Sequence, residues 1–408
     1  MHFGPVFRAL MHSKARSWLV MLEVALTLAI VANCVNLMLD LRGKYVRDTG
    51  IDEENIIVVE TEPFAPEFKE ESTIDEVQRA DLEHLRAYPG IRAAAAFHAV
   101  PLSGGGSATG RRAVGSEENT EAAPYFVVGD QALQALGVEV SAGRDFERAD
   151  WDYEEDEDGD AVDRGVILSR PLADKLFPDG DAVGGRIENA DGDTHNTVLG
   201  VVDKLPNSWP DWDEGRDWTM LFPGRRPGDE RRMRYLVRTE PGAVDAVFNG
   251  LEELMLELHS GRLVTLETMA EVKRDTFSAQ LAVTTMLSTL IGLLVLVTSL
   301  GIVGLTAFSV AQRRRQIGTR RALGATRGDI LRYFLLENWM ITGIGLAIGI
   351  ALSYGLNFLL THVADAPKMP WLLILGGMAV LWTTGILAAL VPAWRATLVE
   401  PEVATRTI

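Results

Sequence analysis

The sequence predicts a membrane protein: four transmembrane α-helices plus a large extracytoplasmic α/β (α+β) domain of two subdomains, inserted between spans one and two. Three observations predict it. Apolar stretches at residues 18–39, 281–310, 331–361 and 371–391 are each long enough to cross a bilayer, which takes about 20 residues. Charge is segregated: residues 40–278 hold 26 Lys+Arg and 51 Asp+Glu, a net of −25, whereas the remainder holds 13 and 6, a net of +7. Finally, Arg313, Arg314, Arg315, Arg320, Arg321, Arg327 and Arg332 crowd the short connection between the second and third apolar stretches, with Asp329 its only acid. Such a bias marks the cytoplasmic side.

That placement orders the chain. The helix before the basic connection arrives from outside, so the acidic stretch lies outside and both termini lie inside. Residues 1–17 carry Arg8, Lys14 and Arg16 with Phe3, Val6, Phe7, Leu10 and Met11 at helical spacing, the pattern of a short helix on the inner membrane surface. The first apolar run follows. It is longer than the apolar part of a secretory signal, lacks an Ala-x-Ala pattern after it and contains Glu23, so it reads as an uncleaved anchor.

The external domain, residues 40–280, opens with an amphipathic connector at 41–48 and a strand at 55–60. A helix over 74–88 stops before Pro89-Gly90, and a strand at 91–100 follows. A turn-rich segment covers 103–120. Strand 125–129 and helix 130–136 precede the acidic run 151–160, read as a solvated loop. Strand 165–168, helix 171–177 and strand 197–203 make a second α/β unit, giving an inserted subdomain over about 122–202. The Trp-rich stretch 206–218 reads as irregular. Strands at 233–239 and 262–266 flank a helix at 243–259.

The second span is longer than a bilayer requires and is expected to begin outside as a stalk. It carries Gly292, Gly301 and Gly304, and the last two are spaced to admit another helix closely. A cytoplasmic segment covers 311–330, the third span 331–361, a short outer loop 362–370 and the fourth span 371–391. Pro392 is expected to end it, leaving the tail 392–408 inside.

Two acids lie within spans. Glu23 sits roughly 8 Å deep at 1.5 Å per residue, where a carboxylate is costly unless paired. It is expected to pair with an arginine of the central segment or of a partner chain, with a proton relay as the sharper alternative. Glu337 lies near the inner end of the third span.

Several functions are excluded or disfavoured. An acidic external domain argues against nucleic acid, whose phosphates need clustered Lys and Arg. Cys34 is the only cysteine and lies in an apolar run, so no intrachain disulfide forms. The run Glu154 to Asp160 imitates a calcium loop at Glu154, Asp156, Asp158, Gly159 and Asp160, but Gly165 stands where the bidentate Glu belongs. The seven histidines show no metal-ligand spacing, and no catalytic set is legible.

RRRQIGTRRALGAT, residues 313–326, resembles the signature after the second span of FtsX-like permeases of the MacB type. PYFVVGDQALQALGVEVSAGRDF (124–146), GVILSRPLADKLFPDGDAVGGRI (165–187) and TVLGVV (197–202) resemble that family's periplasmic core domain, and PAWRATLVEPEVATR (392–406) matches its tail. The resemblance implies an ABC-type permease of the bacterial inner membrane that works as a homo- or heterodimer. Closure of cytoplasmic ATPase subunits would pass through a coupling helix and long stalks to the periplasmic domain. By position that helix lies within 315–324, and Arg315, Gln316, Ile317, Arg320, Leu323 and Gly324 are the residues expected to touch the ATPase.

One departure stands out. MacB carries a nucleotide-binding domain on the same chain. Here the nearest approach to a phosphate loop is GGSATGRR, residues 105–112, with Arg111-Arg112 where Lys and Ser or Thr belong. It reads as a Gly-rich loop on the wrong side of the membrane. The chain is therefore expected to be no enzyme and to hold no cofactor, with ATP and Mg on a separate ABC ATPase subunit. A periplasmic adaptor and an outer-membrane channel are further expected partners, beside membrane lipid. Two other readings follow from related systems: an FtsX-like regulator of a cell-wall hydrolase, which predicts a smaller outer domain, and a sensor subunit of an antibiotic-peptide response module, which usually has more spans.

Overall fold

The computed structural model describes residues 14–69, 71–116, 121–151, 163–189, 192, 194–209, 212, 217–224, 232–259, 261–364 and 366–399. The surface helix expected at 1–17 lies outside them up to residue 13, as do most of the acidic run and the tail from residue 400. The chain divides into two compact units, Val46–Ser278 and the apolar helices on either side of it in sequence.

The α/β unit starts from strands that are apolar on both faces. In β1 (Ile56–Pro63), Ile57 and Val59 enter one core while Ile56 and Val58 enter another, the pattern of a strand covered on both sides. Helix α1 is Lys14–Val46, treated below; α2 (Glu71–Ala87) follows β1 and leads to β2 (Ile91–Phe97). Next come β3 (Ser107–Ala113), β4 (Glu121–Val128), α3 (Ala132–Leu136), β5 (Val140–Gly143), β6 (Asp163–Ser169), α4 (Arg170–Leu176), β7 (Arg186–Glu188), β8 (His195–Val202) and β9 (Met220–Pro223). The unit closes with β10 (Met233–Thr239), α5 (Val244–Leu258), β11 (Arg262–Thr268) and α6 (Met269–Thr276).

Strands β11-β1-β10-β2 lie side by side, all antiparallel. With α2 between β1 and β2, and α5 between β10 and β11, they form two interleaved split β-α-β units, a ferredoxin-like arrangement. Val77, Leu85, Val247, Leu251 and Met255 bring α2 and α5 onto one face. Leu133, Leu136, Met269 and Val272 bring α3 and α6 onto the other. The second half is inserted between β2 and β10. Its pairing runs β4-β3-β7-β8-β6-β9 and back to β4 through a parallel β4–β9 contact, so the strands close a ring. Val166, Leu168, Leu172, Val198, Met220 and Phe222 fill it.

The two-subdomain α/β reading therefore describes two cores strung on one continuous sheet. Residues 107–223 build the ring, whereas α3, which lies within this stretch, packs on the first half. The Gly-rich loop expected at 105–112 is corrected: from Ser107 it is strand β3. Pairing with β4 and β7 holds it there, and its small and basic side chains carry no apolar alternation to announce it.

In the membrane unit, α1, α7 (Ser278–Gln312), α9 (Arg327–Ala364) and α10 (Trp371–Thr397) are long and apolar enough to cross a bilayer, with the short α8 (Arg314–Ala322) between α7 and α9. Two differ from expectation. The connector expected at 41–48 is the last part of α1 as far as Val46. Pro392 does not end α10, which continues to Thr397. A proline inside a helix loses one backbone bond; here Pro392, Ala393 and Ala396 are all buried, and the last two pack against Ile330 and Phe334, which holds the extra turn in place.

Helix α1 is the most enclosed of the four. Its Val20, Met21, Val24 and Leu28 meet Ile302 of α7, Ile341 and Leu346 of α9, and Leu381 and Ala389 of α10. Polar side chains tie the bundle where hydrocarbon offers no partner: Thr27 Oγ1 lies 2.7 Å from Thr298 Oγ1, and Asn338 Nδ2 donates to the Gly385 carbonyl at 2.9 Å. Asn36 and Asn357 both donate to the Pro367 carbonyl, at 2.7 and 3.1 Å.

Candidate functional site

The seven arginines noted in the sequence shape an elbow, and its turns are written in a few residues. Helix α7 ends at Gln312. Arg313, at φ −103° and ψ 13°, is the non-helical cap from which α8 begins. Helix α8 stops because Gly324 adopts φ +98°, in the region that favours glycine. The Gly324 N–H then donates to the Arg321 carbonyl at 3.1 Å and the Ala325 N–H to the Arg320 carbonyl at 3.0 Å, the paired bonds of a Schellman stop. Thr326 starts α9: its Oγ1 accepts from the Asp329 N–H at 3.2 Å, while the Asp329 carboxylate accepts from the Thr326 N–H at 3.0 Å. ALGATRGD is thus a helix stop followed directly by a helix start.

The two sides of α8 differ. Ile317, 4% exposed, and Gly318 face inward, and Ile317 joins Val310, Ile330, Phe334, Ala393, Ala396 and Val399. Arg321 donates to the carbonyls of Thr397 and Val399 at 3.1 and 2.6 Å. These lie at the C-terminal end of α10, where carbonyls lack helical partners and a cation is favoured. Arg315, Gln316, Thr319, Arg320 and Leu323 occupy the opposite, exposed side, at one-turn intervals. Leu323 is 84% exposed, more than any other large apolar side chain among the described residues. Of the residues expected to touch a partner, Ile317 is corrected: its side chain is spent on the chain's own core. Arg315, Gln316, Arg320, Leu323 and Gly324 remain on the surface.

Behind α8, Arg313 reaches α9. Its Nη1 donates to Glu337 Oε2 at 3.0 Å and to the Tyr333 hydroxyl at 2.8 Å. The Arg320 guanidinium lies 5.0 Å from the centre of the Tyr333 ring, within cation–π range. A cavity of about 30 Å³, lined by Ser17, Thr306, Ser309 and Asn338 among others, adjoins the pair. That is room for about one water.

Arg313 is held by Glu337, and among the described residues no other arginine of the central segment pairs with Glu23. Instead its carboxylate lies against α7 at Gly301, where an added Cβ would sit 2.5 Å from Oε2 and 2.9 Å from Oε1. Gly301 therefore makes room for Glu23, and Gly304 meets nothing within 4 Å. Gly345 and Gly349 of α9 also admit a neighbouring helix: a Cβ would come 2.8 Å from the Met21 carbonyl at the first and 3.1 Å from the Ala25 carbonyl at the second. Their Gly-x-x-x-Gly spacing was the available signal.

Comparison with known proteins now bears on this geometry. The description "MacB-like periplasmic core domain" matches residues 17–254, and "FtsX-like permease C-terminal" matches residues 288–401. The chain belongs to the MacB/FtsX-type ABC transporter permease family. The FtsX-like match takes in the whole elbow, and the MacB-like match takes in most of α1 and the α/β unit as far as α5. Among its relatives, the macrolide export ATP-binding/permease protein MacB of Chromobacterium violaceum is 28% identical over 282 residues, covering 67% of this chain and 42% of that protein. The uncharacterized ABC transporter permease YknZ of Bacillus subtilis (strain 168) is 33% identical over 139 residues, 34% of this chain and 35% of that one. The matched region thus spans less than half the length of either relative. The crystal structure of the periplasmic region of MacB from Actinobacillus actinomycetemcomitans aligns with 57% of this chain and 97% of that chain, at 15% identity and a TM-score of 0.36.

Proposed function

We propose that this chain is the permease subunit of a MacB/FtsX-type ABC system in the bacterial inner membrane, with both termini cytoplasmic. It converts ATP hydrolysis by a nucleotide-binding subunit, which carries the ATP and Mg, into movement of the α/β domain outside. Export and mechanotransmission both use that movement. Two permease chains, identical or related, form the working dimer, and a periplasmic adaptor with an outer-membrane channel suits the export mode.

The observation that carries this reading is the exposed side of α8. Arg315, Gln316, Arg320 and Leu323 project from a helix whose other side is fixed to α9 and α10. Arginines placed only to hold the elbow in the cytoplasm would need no leucine standing in water beside them. A charged rim around one apolar anchor is instead the composition of a docking surface.

The test is purification of the tagged chain from native membranes in mild detergent, with mass spectrometry of co-eluting chains and an ATPase assay. An ABC ATPase should co-elute with activity, and Leu323→Asp should reduce its yield by about tenfold or more, as loss of a hot-spot contact does. Equal ATPase yield from the variant would overturn the docking assignment.

A further inference from the structure

The elbow is gripped as well as exposed. We propose that Tyr333 and Glu337 of α9 hold Arg313 as a latch that sets the angle of α8 to α9, so that a push on α8 moves α9 as a rigid body. The source of the push rests on the functional reading above; the latch itself stands on geometry.

Arg313 occupies the break between α7 and α8, where the backbone leaves helical geometry and the angle between helices can change most easily. Its side chain is anchored on a different element. Tyr333 and Glu337 are four residues apart, on one side of α9, and both accept from the same guanidinium nitrogen. Seven residues further on, Arg320 lies over the same Tyr333 ring. Contacts near both ends of α8 constrain its direction as well as its position. Arg321, bonded to the end of α10, prevents rotation about that line.

The acid is the telling member. Arginines that merely marked the cytoplasmic side would not call for a carboxylate 8% exposed beneath them. A buried carboxylate is tolerated when paired and hydrogen-bonded. Losing its partner is costly, so the elbow has one favoured arrangement instead of a range. Arg313 and Glu337 are positioning residues: they touch no nucleotide and act through α8.

The measurement uses the full chain in nanodiscs, with Cys34→Ser and spin labels at Ala322 and Leu352. The unaltered latch should give one narrow distance distribution. Glu337→Gln should lose it, and Tyr333→Phe, which removes only the hydroxyl, should broaden it less. Arg313→Lys should fall between, because an ammonium lacks the planar fork. The exchange Arg313→Glu with Glu337→Arg should restore a narrow distribution. A Glu337→Gln chain as narrow as the parent overturns the latch. In the complex with the co-eluting ATPase, Glu337→Gln should keep the ATPase bound while permease-dependent stimulation falls about tenfold, within the usual range of a coupling energy. Unchanged stimulation would equally overturn it. Failure to recover any ATPase would count against the functional reading alone, since the distance measurement decides the latch without it.

Discussion

Arg262 in the α/β unit and Arg313 in the membrane unit each pair with a buried carboxylate in a group that also holds a tyrosine hydroxyl, yet they are placed differently. Arg262 donates to both oxygens of Asp81 at 2.5 and 2.9 Å and to the Met255 carbonyl at 2.7 Å, and Tyr235 donates to Asp81 at 2.8 Å. Neither side chain of that ion pair has any exposure. Arg313 keeps 20% of its side chain exposed and stands at the root of a helix with a free outer side. Arg262 joins α2, α5 and the sheet within a closed core, and its group has no route by which to move. The Arg313 group lies at a junction of helices, where the same bonds can transmit motion. The surroundings, more than the chemistry, decide whether such a group is a lock or a latch.

The largest effect expected from this contrast is at Asp81. Asp81→Ala leaves Arg262 charged and enclosed, and should lower the stability of the α/β unit by about 3–5 kcal/mol, read as a shifted thermal transition of the full chain. Glu337→Ala should cost clearly less, because Arg313 can turn toward water. Equal losses would erase the distinction between the two sites.

A second contrast concerns pH. Burial, then the Arg234 charge, pushes the His98 imidazole down to about 4, and the Val127 N–H donates to its Nδ1 at 2.9 Å. The folded chain therefore resists a proton that the unfolded chain accepts below its ordinary value near 6.5. The resulting stability is fully present above pH 6.5 and is lost as pH falls toward 4, by up to about 3 kcal/mol. Denaturant midpoints measured from pH 7 to 4 should slope less in His98→Gln than in the parent; parallel curves would remove His98 from the account. Among the described residues of the membrane unit the one histidine is His362, exposed near the end of α9, so those residues should not share this step.

The smallest effects compare glycines within the membrane unit. Gly345→Ala brings a methyl within 2.8 Å of the Met21 carbonyl and should destabilise the bundle by about 1–3 kcal/mol. Gly304→Ala meets nothing in this chain and should be neutral or gain up to about 1 kcal/mol from helix propensity. Detergent-solubilised melting distinguishes them. A large loss at Gly304 would instead show that a second copy packs there.

Much of this protein follows from its sequence alone. Four spans, an acidic domain between the first two and a basic elbow between the next two follow from length, periodicity and charge, because membrane crossing and water solubility act on composition. The main α/β strands are legible for a similar reason: Ile56 to Val59 and Tyr235 to Val237 are buried on both faces and so are continuously apolar. Strands such as β3 are not legible, because Ser107 to Ala113 is held by backbone bonds to β4 and β7 that leave no mark on side-chain type. The elbow divides along the same line. Its arginines, Gly324 and Thr326 announce themselves locally, but only tertiary structure decides that Ile317 turns inward, that Gly301 yields to Glu23 and that Arg313 belongs to Glu337. Partner choice among charges depends on distances between residues remote in the chain, and one-dimensional spacing carries no record of those distances.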